Sequence, residues 1–304
     1  MRLVTFTTGD RDRVGAVVGA DVLDLGVLSE GAGGGPLPDT MLGLIQGGPS
    51  VWSRVRDLVS RAGTSPTALD ASRPLSEVHL RAPIPRPAKN VFCLGLNYKA
   101  HLDETGVLPD LPKVPVFFTK AVTSIVGPED PILLDETVSR RYDWEAELGV
   151  VMGLGCRGIP DARALDYVFG YTCFNDVSAR DLQRAHEQWF LGKSLDGTCP
   201  FGPWIVTADE IPDPQNLELE CRVNGEMKQH TNTSDMLFGI QPIIASLSRG
   251  LTLEPGDLIS TGTPAGVGYT RKPPEYLKVG DIVEVEIEGV GLLRNRVADI
   301  REVS

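Results

Sequence analysis

The chain has 304 residues, 41% of them hydrophobic, and 41 acidic side chains against 29 basic ones give a net charge of −12. That length allows one large domain or two modest ones with a real core, and the acidic balance argues against a nucleic-acid partner while leaving room for small anions held by a few local cations. No apolar run approaches the roughly 18 residues needed to cross a membrane, and the opening MRLVTFTTGDRDRVG has no signal-peptide stretch, so a soluble, cytoplasmic protein without a membrane partner is expected.

In chain order, RVGAVVGADVLDLG reads as a hairpin punctuated by Gly and Asp. EGAGGGPLPDT is turn-rich, and a helix is expected from about Pro49 to Ala62 with Val51, Val55, Leu58 and Val59 on one side. RAPIPRPAKN, residues 81–90, has three prolines and reads as an extended linker. It divides a small N-terminal α+β domain, 1–80, from a second unit, 81–304. In GLNYKAHLDETG, His101 and Glu104 are three apart. On a short helix the carboxylate could orient the imidazole and raise its basicity, the logic of a dyad that activates water; the plainer alternative is an exposed His–Glu pair. VLPDLPKVPVFF, with three prolines, reads as a loop over a site.

RYDWEAELGVV, residues 140–150, alternates Asp143, Glu145 and Glu147 with apolar residues. As one strand it would line up three carboxylates about 7 Å apart. The Glu145 and Glu147 pair could point two carboxylates at one hard divalent cation, which takes oxygen ligands and would cancel their repulsion; a solvated strand face is the alternative. A helix from Asp176 would put Asp176, Arg180 and Gln183 within roughly 60° of one another, a third ligand beside an anion clamp or a plain surface Asp–Arg pair. Glu187 shares that face without a role. Lys193 stands in the charge-poor FLGKSLDGTCPFGPW, where it could hold a substrate oxygen, move a proton, or lie on the surface. Its GKS lacks the upstream glycine of a P-loop.

LELECRVNGEMKQ reads as two strands turning at Asn224-Gly225. SDMLFGIQPIIASLSRG reads as a helix from a Ser-Asp cap to Gly250, and residues 161–168 as a helical turn. STGTPAGVG could cradle an anion on backbone N–H groups or be a tight turn, but lacks the dinucleotide-binding order. Five scattered cysteines without a C-x-x-C pair read as small buried hydrophobes; His79, His186 and His230 read as structural or surface residues. The pattern is α+β, predominantly β.

The stretches GLNYKAHLDE, YDWEAELGVVMG, GYTCFNDVSARDLQ, GKSLDGTCPFGPW, VNGE, GDLISTGTPAGVG and PPEYLKVGDIVEVEIEGVG, in this order across about 85–300, resemble the fumarylacetoacetate hydrolase family. The resemblance implies a mixed β-sandwich or β-roll catalytic domain and a homodimer. It implies Glu145, Glu147 and Asp176 as ligands of Mg²⁺, or of Mn²⁺ or Ca²⁺, and Arg180 and Gln183 as contacts of a small anionic 2-oxo acid substrate. Thr263 would bind a substrate carboxylate. Lys193 matches the family lysine, and His101 and Glu104 match its lid pair. Fumarylacetoacetases proper carry a further acidic ligand where this sequence has Asn97, which points to the branch of acylpyruvate hydrolases, oxaloacetate decarboxylases and hydroxymuconate- or heptadiene-dioate isomerases. The expected reaction is metal-dependent C–C hydrolysis of a 2,4-dioxo acid such as an acylpyruvate or fumarylpyruvate. The alternatives are oxaloacetate decarboxylation or enol–keto isomerisation in the same site and, in another class, a non-catalytic Ca²⁺-binding β protein.

Overall fold

The computed structural model describes residues 1–30, 34–62, 66–106 and 111–303. The chain opens with an antiparallel meander, β1 (Arg2–Thr8), β2 (Arg11–Val18) and β3 (Asp21–Asp24). Helices α1 (Leu25–Glu30), α2 (Met41–Gln46), α3 (Gly48–Arg61) and α4 (Pro66–Ala71) follow, then β4 (Ser72–Pro74) and β5 (His79–Arg81). Pro49 stands in the first turn of α3, where a missing N–H leaves no helical bond unmade. Next come β6 (Val91–Gly95), α5 (Lys99–Thr105), β7 (Val116–Lys120), β8 (Ile125–Val126), β9 (Ile132–Leu134), β10 (Tyr142–Asp143) and β11 (Ala146–Met152). They are followed by β12 (Val168–Asn175), β13 (Ser178–Ala179), α6 (Arg180–Ala185), α7 (Phe190–Lys193) and β14 (Cys199–Thr207). The last elements are β15 (Glu218–Val223), β16 (Glu226–Asn232), α8 (Ile240–Ser248), β17 (Leu258–Ser260), β18 (Ile282–Ile287) and β19 (Gly291–Asp299).

A long mixed sheet runs β4-β3-β2-β1-β14-β12-β11-β17-β6-β7, with β5 on β1 and β8 on β14; a second sheet runs β16-β15-β18-β19-β9. The fold is α+β and predominantly β, as expected. Because β1 pairs with both β2 and β14, the N-terminal strands extend the sheet that carries the central strands. The proline-rich 81–90 stretch is packed, not an open linker: Ala82 and Ile84 are buried, and Thr5 Oγ1 donates to Pro83 O at 2.7 Å.

Strand β11 is buried on both faces. Leu148, Val150 and Met152 join Cys221, Val285 and Leu293 of the second sheet and Ile243, Ile244 and Leu247 of α8 in one core. Val151 instead joins Leu44, Ile45 and Val55 of α2 and α3 in another. Alternation every second residue thus ties one strand to two cores, and each such side chain contributes about 1.5–3 kcal/mol by burial. Close packing also fixes Gly170 of β12, since a Cβ there would lie 2.2 Å from the Val206 carbonyl oxygen of β14. Gly170→Ala is expected to lower stability by about 1–3 kcal/mol, read as a lower urea midpoint at unchanged slope.

Turn chemistry holds at Asn224 and Gly225, whose φ values of 54° and 78° suit the two-residue hairpin between β15 and β16. Helix starts differ from expectation. Ser234 and Asp235 lie in a separate 3₁₀ turn capped by Asn232, and α8 starts at Ile240, whose N–H donates to Gln215 Oε1 at 2.7 Å. Residues Asp161–Tyr167 form a 3₁₀ helix. All five cysteines are buried and unpaired. The expected loop over a site and the glycine-rich turn lie partly outside the described residues, at 107–110 and 31–33. Among the described residues no helix is long and apolar enough to cross a membrane.

Candidate active site

The three acids of RYDWEAELGVV do not share one strand. The chain breaks between β10 and β11, so Asp143 and Glu147 sit on different strands and Glu145 in the join. Non-local bonds shape this break: Glu145 N donates to Asn175 Oδ1 (3.0 Å), and Asp176 N donates to Glu145 O (2.8 Å). Trp144, almost fully buried, donates from Nε1 to Gly266 O at 3.2 Å. Asp143 turns away from the other two acids. Its Oδ1 accepts from Trp144 N and Gly268 N, and its Oδ2 from Tyr269 N and Arg180 Nε, which fills all four of its acceptor positions. Burial pushes its carboxyl up, against the pull of Arg180 and these N–H groups. Arg180 is therefore its charged partner.

Asp176 does not start a helix with Arg180 and Gln183. It lies between β12 and β13, and α6 begins only at Arg180, whose N–H donates to Arg141 O. The three expected ligands nevertheless converge: carboxylate oxygens of Glu145, Glu147 and Asp176 lie within 4.8 Å of one another, all buried. Lys193 Nζ donates to Glu145 Oε2 (2.6 Å) and Asp176 Oδ2 (2.7 Å), while Arg180 Nη2 meets Glu145 Oε1 at 2.6 Å. Glu147 Oε2 accepts from Ser260 Oγ (2.6 Å) and Gly262 N (2.7 Å), so one anion cradled by the glycine loop is the protein's own. Its Oε1 is fully buried with no donor. An oxygen in that state, beside two more carboxylates, suits a hard divalent cation.

The charges are unequal. Burial works to raise the Glu145 carboxyl, but Lys193 and Arg180 together bring it down, to about 2. Glu147 goes the other way, pushed well above its ordinary value by burial and by Asp176 and Glu145. Burial opposes the Lys193 charge, yet Asp176 and Glu145 hold it an ammonium above its ordinary range.

In front of this cluster lies a cavity of about 290 Å³, lined by His101, Glu145, Arg180, Gln183, Lys193 and Thr263 among others. Six of the nine expected site residues therefore meet in one cavity wall. The other three stand behind it: Glu147 and Asp176 in the carboxylate cluster, Glu104 behind His101. His101 Nδ1 lies 2.8 Å from Glu104 Oε1 on α5, which ends at Gly106 in the left-handed conformation. Glu104 Oε2 accepts from Gly266 N (3.0 Å) and Thr270 Oγ1 (3.1 Å), binding α5 to the glycine loop. Gln183 Oε1 accepts from Arg180 Nη1 at 3.0 Å. The Thr263 hydroxyl donates to Ala146 O (3.0 Å) and accepts from Gln229 Nε2 (2.8 Å), so its proton is already engaged.

Several site residues had no local signal. Lys120, fully buried at the end of β7, lies 2.8 Å from Asp176 Oδ1 and donates to Val177 O at 3.0 Å. A lysine closing an apolar strand reads as surface until Asp176 is placed beside it. Asn97 binds Phe238 O, Thr261 O and Phe238 N through its amide, bracing the wall as structure. Next to it Leu96 holds φ +61°, an unusual conformation for a bulky residue, in the cavity lining. His186, expected as structural or surface, lines the cavity with Arg184, Trp189 and Tyr269. His79 and His230 are surface residues, but they do have acid partners across strands and turns: Glu129 at 2.8 Å and Glu218 at 3.0 Å.

The chain is similar to known proteins over most of its length. A profile of the fumarylacetoacetate (FAA) hydrolase C-terminal region matches residues 90–298. Oxaloacetate tautomerase YisK of Bacillus subtilis (strain 168) is 48% identical over 223 residues, 73% of this chain and 74% of that one. The fumarylacetoacetate hydrolase EaFAH from psychrophilic Exiguobacterium antarcticum superposes with a TM-score of 0.81 at 41% identity, over 98% of this chain and 99% of that one. Maleylpyruvate hydrolase from Sphingobium sp. SYK-6, solved with manganese(II) and pyruvate, has a TM-score of 0.75 at 33% identity, over 98% and 99% of the two chains.

Proposed function

The chain belongs to the fumarylacetoacetate hydrolase family, and from that premise we propose that it interconverts the enol and keto forms of a small 2-oxo diacid, oxaloacetate first among them. This replaces C–C hydrolysis as the leading reading. The observation that carries it is the pairing, in one cavity, of an oriented histidine with two buried cations already held on carboxylates. Tautomerisation needs a proton removed at one atom and delivered at another, and no water. The similarity to an oxaloacetate tautomerase supports the choice.

In the keto direction the substrate loses the proton on its C2 hydroxyl and gains one at C3, and no carbon–carbon bond changes. Negative charge gathers on the C2 oxygen, where Lys193 and Arg180 supply preorganised positive charge. Lys193 is held as an ammonium and both Glu145 oxygens are engaged. His101, which Glu104 orients, is the imidazole placed to move the proton between O2 and C3. Gln183 holds Arg180 in place. A Mg²⁺ or Mn²⁺ held by Glu145, Glu147 and Asp176 would act as a Lewis acid toward the substrate's 2-oxo and carboxylate oxygens.

Burial, with Asp176 and Glu145 beside it, pushes the Glu147 carboxyl up, so a cation competes with protons for it. Apparent affinity for Mg²⁺ and Mn²⁺ is therefore expected to rise with pH, with proton release. Calorimetric titration in buffers of different ionisation enthalpy checks both, and a pH-independent affinity would remove Glu147 from the ligand set.

The test of the reaction is a substrate panel with Mg²⁺ or Mn²⁺ against a chelator: enol oxaloacetate, acylpyruvates, fumarylpyruvate and hydroxymuconate-type diacids. Tautomerisation of oxaloacetate at least tenfold more efficient than hydrolysis of any 2,4-dioxo acid is the expected outcome. The reverse order would establish the second reading, C–C hydrolysis, which the likeness to maleylpyruvate hydrolase favours.

A further inference from the structure

The cavity has two positive regions, and only the inner one is neutralised. Lys193 and Arg180 are paired with Glu145, Asp176 and Asp143. Arg184 also lines the cavity, but among the described residues it makes no ion pair, and its guanidinium stands 4.9 Å from the centre of the Tyr269 ring. Arg180 stands 4.3 Å from the centre of the same ring. The two arginines are four apart on α6, which puts them on one helix face about 6 Å apart along the axis.

We infer that Arg184 binds the distal carboxylate of the substrate and so selects 2-oxo diacids over 2-oxo monoacids. This rests on the proposed reaction only for the identity of the substrate's reacting end. One carboxylate and the 2-oxo oxygen belong at the inner region, where Lys193, Arg180 and the three acids converge. The second carboxylate of a four-carbon diacid then lies a few bonds farther out, toward the open end of α6. There Arg184 offers a planar, permanently charged fork that suits a carboxylate. Tyr269 holds both guanidinium groups against one ring and limits the positions they can take. Arg184 is exposed, so its pairing with a substrate competes with water and is worth less than a buried pair.

The experiment compares diacid and monoacid arms in Arg184→Ala and Arg184→Lys. With oxaloacetate, Arg184→Ala is expected to raise KM about tenfold, while KM for the 4-ethyl ester, which lacks the distal charge, moves less than twofold. Arg184→Lys is expected to recover part of the difference, since it keeps the charge and loses the fork. Equal changes for acid and ester, or none, would overturn the assignment and leave the proposed reaction standing. Calorimetric binding of D-malate and D-lactate to the magnesium-loaded protein gives a second reading without turnover. The wild type is expected to prefer D-malate and the alanine variant to lose that preference. If the wild type does not turn over oxaloacetate yet this preference disappears in the variant, the reaction is wrong and the diacid assignment holds. If wild type shows no preference for D-malate, the assignment fails.

Discussion

His101→Ala is expected to lower kcat for oxaloacetate tautomerisation by about 10²–10⁴-fold while the protein stays folded. The imidazole is the cavity's oriented proton carrier, and its removal leaves Lys193 and Glu145 with their protonation fixed by each other. The fold has little to lose, because Glu104 keeps its bonds to Gly266 N and Thr270 Oγ1 and still holds α5 in place. Enol absorbance followed over time, corrected for the spontaneous rate, gives kcat; a thermal melt checks the fold. Glu104→Gln is expected to give a smaller loss, since an amide can still hold the loop but no longer offers His101 a carboxylate partner. A kcat within threefold of wild type in His101→Ala would assign the proton transfer to another group. A loss confined to hydrolysis of 2,4-dioxo acids would instead mark His101 as the activator of water.

The second large effect is on stability. Lys193→Met removes the cation that two fully buried carboxylates share, and leaving such charges uncompensated costs about 3–5 kcal/mol. Arg180 still serves Glu145 and Lys120 still serves Asp176, so the expected value is at the low end. A divalent cation would restore much of it, so added Mg²⁺ should raise the melting temperature of the variant more than that of the wild type. Acid sensitivity should change with it. Glu145 is depressed from an ordinary 4.5 to about 2. Its contribution is therefore complete above the ordinary value and is lost as pH falls toward 2. Without Lys193 the depression shrinks, and the acid-unfolding midpoint should move up. An unchanged midpoint and an unchanged response to Mg²⁺ would show that the ammonium is not what balances the cluster.

The parts legible from sequence were those decided locally. The Asn224-Gly225 turn, the amphipathic α3 and the His101–Glu104 spacing each follow from bonds within a few residues. The site residues outside such spacings were reached through the order of motifs, not through geometry. Across longer spans local geometry misleads for one reason: distant partners set the backbone. Asp176 reads as a helix start, but its own N–H goes to Glu145 O, 31 positions earlier, and α6 waits until Arg180. Ser234 reads as a cap, but α8 takes its acceptor from Gln215. Asp143 reads as sharing a strand face with Glu145 and Glu147, but four donors from Trp144, Gly268, Tyr269 and Arg180 claim it. Lys120 carried no signal at all, because its counter-charge is 56 residues away.

Glu104 carries a further implication. One oxygen orients His101, and the other fastens α5 to the loop at Gly266 and Thr270. The same carboxylate thus anchors the helix and orients the imidazole. His101 and Glu104 share α5, so the imidazole and its partner hold their places over the cavity as one unit, tied to the loop by the bonds from Gly266 and Thr270. The register of the base over the cavity is therefore set by a single carboxylate.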